Sequence, residues 1–352
     1  MLTIKLDLMS ILSMLTLVLL PFSIDGQEEQ SIFDVMSHEE VLHVTLEADF
    51  AHIDTMRRSA EKHKAKLSFQ DITGAQQQWD VKLKTRGNYR RMNCTMPPLK
   101  INFKKKDLVA AGLSKFDDFK LVTHCVSNKS EAKALIAKEY LGYKLYNELT
   151  DFSYRVQLLK ITYKDTSTGN KSKYWAFLIE DTAELKSRIG ATETVSNPIG
   201  LPRDTFHDSI IKIVSLYQYL IGNSDWDVNV GRNVKFVRRE DKVIPIPYDF
   251  DFSGLVSASY AIPNPNYDLA SVQSRIFLGF TEDIERLKST ISYFKTKRRN
   301  LLKIIDDFNI LSPDTREYLM MYLDSFFVNM DEIIVKEKLT PKENNNTTMA
   351  LK

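Results

Sequence analysis

Two short segments gather the residue types that phosphoryl chemistry needs. Gly222-Asn-Ser-Asp-Trp-Asp-Val-Asn-Val-Gly-Arg-Asn233 is followed, after one short hairpin pattern, by Tyr248-Asp-Phe-Asp-Phe-Ser-Gly254. A loop leaving a buried helix, a hairpin, and a second loop leaving that hairpin would bring Asp225, Asn233 and Asp249 around one cleft. Carboxylate and carboxamide oxygens suit hard cations such as Mg2+ or Mn2+, which keep coordination positions for water and substrate phosphates. A further carboxylate off the metal can orient an attacking hydroxyl and take its proton as the new bond forms. An Asn/Asp-rich loop after a helix also serves as a plain turn-and-cap device. Asp249 between two aromatics argues for the chemical use, because burying a carboxylate without a partner is costly.

The elements that must position these loops are legible from periodicity. Val41 to Leu46, Lys64 to Phe69, Trp79 to Lys84, Pro98 to Phe103 and Lys120 to His124 alternate as strands do, so the first third is a β region. From Ser130, read as an N-cap, Ala134, Leu135, Tyr140, Leu141, Leu145 and Leu149 recur at helical spacing. Arg155 to Tyr163 and Tyr174 to Ile179 read as a hairpin joined by the polar turn Asp165 to Asn170, and Leu185 to Ile189 as a short helix. Asp208 to Ile221 is apolar around most of its wheel, as a buried helix is. Asn233 to Val237 and Lys242 to Ile246 form the hairpin between the two polar loops, with Pro245 and Pro247 confining the second strand to an edge or an end. Glu282 to Lys336 is helical by period, and the Asn/Thr tail is disordered by composition.

In their order these motifs resemble the CotH family of atypical protein kinases. Gly222-Asn-Ser-Asp-Trp226, Asn233-Val-Lys-Phe and Tyr248-Asp-Phe-Asp251 are similar to the family's catalytic and metal-binding loops. Upstream, Thr85-Arg-Gly-Asn88 and Pro97-Pro-Leu-Lys-Ile-Asn-Phe103 are similar to its Arg-Gly-Asn turn and the lysine-bearing strand that follows. The resemblance runs colinearly from about Lys82 to Gly254 and implies an α+β, kinase-like two-lobe fold, with an antiparallel β-rich N-terminal lobe and a helical C-terminal lobe. It implies Asp225 as catalytic base, Asn233 and Asp249 as metal ligands, and Asp251 as a carboxylate behind the first metal or on a second one. Lys100 would steady the phosphates of ATP, with Arg86 as a further phosphate contact. Glu139 would pair with Lys100, with Glu131 and Glu148 as alternatives on the same helix. Two departures stand out. Asp225 and Asn233 lie eight positions apart, so the loop must bulge, and Asp227 and Asn229 are alternatives for the two roles. Gly87 stands alone, so a Gly-rich phosphate loop is lacking.

Bulk properties set the frame. The apolar run from Ile11 to Phe22 is too short to span a bilayer and leads at once into polar sequence, which reads as a signal peptide over residues 1–26. The expected layout is then a kinase-like domain over 27–340, with a β-rich lobe at about 40–180, a helical lobe at about 181–340, and a disordered tail at 341–352. No membrane span is expected in the mature chain, and periplasm, cell surface and secretory route stay open. A formal net charge of +2 argues against nucleic acid as a partner, leaving nucleotide and a protein or surface acceptor. Cys94 and Cys125 are either one disulfide or two buried thiols. Trp226 reads as core, His124 as a hydrogen-bonded strand histidine, and Arg90-Arg91 with Lys104 to Lys106 as a solvated basic edge. Two readings from other classes use the same residues: a catalytically silent kinase-like scaffold, and a calcium-stabilised binding protein.

Overall fold

A computed structural model describes residues 29–280 and 283–330. The expected signal peptide and C-terminal tail lie outside the described residues. The chain opens with helix α1 (Ile32–Met36), strand β1 (Val41–Ala48), helix α2 (Phe50–Thr55) and strands β2 (His63–Gln70) and β3 (Gln76–Thr85). Short helix α3 (Tyr89–Asn93), strand β4 (Leu99–Phe103), helix α4 (Lys105–Ala110) and strand β5 (Asp118–Val122) lead to the long helix α5 (Lys129–Leu149). Strands β6 (Val156–Asp165) and β7 (Lys171–Ile179) complete the first half. Helix α6 (Thr182–Arg188), strand β8 (Glu193–Thr194), helix α7 (Asp208–Leu220), strands β9 (Val234–Arg239) and β10 (Lys242–Pro247), and helices α8 (Ile284–Asp306) and α9 (Pro313–Asn329) form the second.

The α+β expectation holds, with β structure concentrated early and helices later. The early strands do more than form an antiparallel sheet. They close a barrel in the order β1-β2-β3-β4-β5-β7-β6. Every neighbouring pair is antiparallel except β1 and β6, which pair in parallel, Val41 opposite Leu158. Alternation along each strand explains the filling: Leu46, Leu67, Leu83, Leu99, Leu121 and Ile161 point inward and are at most 1% exposed.

Helix α5 lies against β7 and α8 and anchors the second core. Its N-cap is Asn128 rather than Ser130: the Asn128 side chain accepts from the backbone of Ser130 and Glu131, which a carboxamide oxygen two residues earlier reaches more directly. Leu141, Tyr143, Leu145 and Tyr146 on its inner face are fully buried, each contributing ~1.5–3 kcal/mol. Tyr146 and Tyr143 meet Tyr217 of α7 and Phe250 respectively, so the helix that ends before the first polar loop is packed on the residue that sits inside the second. Strand β10 lies at the edge of the three-stranded sheet β10-β9-β8, as its two prolines require. The C-terminal helical stretch is two helices, not one, because Ser312 caps a new start at Pro313. Among the described residues no helix is long and apolar enough to cross a membrane.

Candidate functional site

The two polar loops meet. Gly254 and Leu255 donate backbone hydrogen bonds to Gly222 and Ile221, zipping the end of the second loop onto the start of the first. Gly222 has φ +61° and an added Cβ would strike the Tyr322 hydroxyl, so only glycine fits this turn. Asn223, buried, bonds Gln218 and accepts from the Asp225 N–H, which fixes the direction in which Asp225 leaves the helix.

The eight-residue spacing has a structural answer. Asp227 and Arg232 exchange both backbone hydrogen bonds and pinch off residues 228–231 as a small turn, returning Asn233 to the side of Asp225. The Asn233 amide then donates to the Asp225 carbonyl at 2.7 Å and its carboxylate at 3.0 Å. The Asp227 carboxylate caps this turn by accepting from Asn229 N–H, and Asn229 is exposed, so both alternatives serve the loop. The Asn233 carbonyl accepts from Tyr248 N–H, and Asp249 N–H donates to the Tyr143 hydroxyl. Asn233 (φ 53°) and Asp249 (φ 65°) both hold left-handed backbone, a conformation that costs a non-glycine residue ~1–2 kcal/mol and concentrates at functional sites.

Beside these loops, Glu139, Asp249 and Asp251 bring carboxylate oxygens within 4.8 Å of one another. Glu139 is correctly placed on α5 but does not pair with Lys100. One Glu139 oxygen accepts from Arg90 at 2.9 Å, while the other is buried without a partner. Lys100 instead bonds Asp118 at 2.6 Å, because the β4–β5 register sets Asp118 diagonally across from it. Arg90 corrects a second expectation. It is buried rather than solvated, donates to the Thr123 carbonyl and lies 3.7 Å from Asp251. Burial raises the Glu139 and Asp251 pKa values, with Asp249 adding repulsion and Arg90 opposing it. The Asp225 pKa is raised by burial too, with Arg232 opposing and Asp249 reinforcing. Among the described residues the Asp249 carboxylate has no hydrogen bond or ion pair.

The lysine in electrostatic reach of Asp249 is Lys120 of β5, the cross-strand partner of Lys100. Its ammonium is buried with no hydrogen-bond acceptor, resting over the rings of Tyr154 and Tyr248 at 4.5 and 4.8 Å. Burial, with Arg86, Lys235 and Lys100 nearby, lowers its pKa to about 7. Arg86 faces the same place, half-buried, with its Nε unsatisfied. Sequence reasoning missed Lys120 and Arg90. The first was recoverable, since alternation puts Lys100 and Lys120 on one face of adjacent strands; a buried arginine in a basic run leaves no local mark.

Cys94 and Cys125 form a disulfide that ties the end of α3, and so Arg90, to the segment between β5 and α5. Trp226 is core, at 3% exposure. His124 departs from expectation: its Nδ1 is buried without a partner and the ring stacks flat on Tyr174 at 3.5 Å, with its pKa lowered to about 4 by burial and Arg90.

No family model and no curated protein matches the chain, so the CotH resemblance rests on the motifs themselves. Among solved structures, Shewanella oneidensis MR-1 HipA, from a toxin–antitoxin complex with HipB and operator DNA, is similar at a TM-score of 0.32 and 14% sequence identity. The similarity covers 63% of this chain and 59% of that one, less than two thirds of its length. At that TM-score it carries no argument about function.

Proposed function

We propose that the chain is an exported, metal-dependent phosphotransferase of kinase type, moving a phosphoryl group from a nucleotide to a protein or surface acceptor. One observation carries the reading: an unpaired, buried Lys120 ammonium and an unpaired Asp249 carboxylate lie within electrostatic reach of each other, beside a second carboxylate, Asp225. A buried ammonium without an acceptor is expensive, and the half-buried Asp249 carboxylate beside it lacks a partner as well. A metal-bound polyphosphate satisfies both at once, the cation meeting the carboxylates and the phosphates meeting the lysine.

The residues fit such a ligand. Asp249, the partner-free oxygen of Glu139, and Asp251 would hold Mg2+ or Mn2+, which supplies charge neutralisation at the transferred phosphoryl group. Lys120 takes the phosphate-contacting role that the motif resemblance gives to Lys100, with Arg86 beside it and Lys100 held outside by Asp118. Asp225, its pKa raised toward that of a useful base, accepts the acceptor hydroxyl's proton, and Asn233 fixes its orientation. The leader-like N-terminus and the disulfide support the export reading.

The silent-scaffold reading has one observation in its favour: Arg90 already supplies a cation to Glu139 and Asp251. A thermal-melt titration separates the two. The phosphotransferase reading expects a rise in Tm that requires both Mg2+ and ATP and disappears in Asp249→Ala, since a ligand that binds the native state raises Tm by mass action. Absence of any shift with metal and nucleotide refutes it and leaves the scaffold.

A further inference from the structure

Between α2 and the start of β2, a second group of ligating side chains converges. His52 on α2, Glu61 in the α2–β2 loop and His63 at the start of β2 bring one ligand atom each within 4.8 Å of one another. His52 Nε2 lies 3.8 Å from Glu61 Oε1, and the two imidazoles meet edge-on with centroids 5.3 Å apart. His63 is 8% exposed and makes no hydrogen bond among the described residues, yet its ring nitrogens are not sealed from solvent, so they stay free to take a ligand.

We propose that His52, Glu61 and His63 form a binding site for a borderline divalent cation, with zinc the best fit. Two imidazole nitrogens and one carboxylate oxygen are ligands that zinc takes, whereas magnesium and calcium select oxygen-only sets. Ligand atoms around a tetrahedral zinc stand about 3.3 Å apart, given bonds of ~2.0–2.1 Å. The three side chains therefore need to close by at most ~1.5 Å, which a half-exposed histidine and a half-exposed loop glutamate can do by rotation. The fourth position stays open for water.

The site would fasten α2 to β2 across the loop that carries Arg57. That arginine donates to the carbonyls of Arg91, Cys94 and Thr95, and its own carbonyl accepts from the Thr85 hydroxyl. The cation would thus brace the loop that supports the disulfide segment and the start of the Arg86 turn. This inference is independent of the phosphotransfer reading.

The test is a zinc titration of chelator-stripped mature protein against a chromophoric competitor, with Co2+ absorption as a second readout. We expect one zinc per chain, a four-coordinate cobalt spectrum, and unchanged binding in Asp249→Ala. His52→Ala, whose side chain is half exposed and leaves the core intact, should weaken zinc binding ~100-fold or more, beyond the loss of an outer-sphere partner. His63→Ala should do the same where circular dichroism shows it folded. Failure of the wild type to bind zinc, or binding that His52→Ala leaves unchanged, overturns the proposal.

Discussion

Replacing Arg90 with methionine tests the acidic cluster most directly. The guanidinium is the only cation bonded to Glu139 or Asp251 among the described residues, at 2.9 and 3.7 Å, and both carboxylates are almost wholly buried. Methionine keeps much of the side-chain volume, so the loss is chiefly electrostatic. Removing one partner of a buried ion pair costs ~3–5 kcal/mol, because the remaining charge stays desolvated. At ~2 °C per kcal/mol for a domain of this size, Tm should fall by ~6–10 °C at neutral pH. The pH dependence supplies the discriminating signature. Both carboxylates already have folded pKa values above their unfolded values, so their contribution to stability is present below the unfolded carboxylate range and is lost as pH rises through the folded pKa. Without Arg90 the folded values rise further. The gap between wild type and variant should therefore be widest near neutrality and shrink as the buffer is made acidic, when protons replace the missing guanidinium. Differential scanning calorimetry across that range measures it. A Tm difference that stays constant with pH, or a variant as stable as wild type, would refute the claim that Arg90 balances these carboxylates.

Three further outcomes follow from the same geometry. Asp225→Asn should retain the Mg2+–ATP thermal shift but lose ~10²–10⁴-fold in phosphoryl transfer, read by acceptor labelling, because only the proton acceptor is removed. Lys120 has a depressed pKa, so its contribution to stability is present above the unfolded lysine pKa and lost as pH falls through about 7. Urea titrations should accordingly show wild type gaining stability relative to Lys120→Met from pH 7 to 10, by at most ~4–5 kcal/mol. Cys94→Ser should lose ~3–4 kcal/mol against denaturant, given a sequence separation of 31, and wild type should lose as much on reduction.

Local pattern accounts for what was legible in the sequence. Strand alternation from Val41 to Lys84, the apolar periodicity of α5 and α7, and the proline-limited edge strand β10 are each written in contiguous residues, so each could be read without knowing neighbours. Long-range register was not written that way. Nothing in β1 or β6 announces that they pair in parallel, and nothing near Lys100 says that Asp118 will lie diagonally across from it. The Asp225–Asn233 interval was visible as too long, but its remedy, the backbone bridge between Asp227 and Arg232, depends on main-chain geometry that side-chain types do not encode. Arg90 shows the limit most clearly: next to Arg91 it has the look of solvent-facing charge, and only the arrival of Glu139 and Asp251 from distant segments makes its burial affordable.

The parallel closing pair has a consequence for how the chain comes into being. Val41 lies opposite Leu158, so the seam of the barrel is sealed by strands from opposite ends of the first half. Contacts of such long sequence separation form late, after the loop-closure cost has been met. Until β6 and β7 have been made, the hairpins from β1 to β5 carry two open borders and an unsealed interior. A nascent chain in that state is still threadable, and it is also the form most in need of a chaperone's cover.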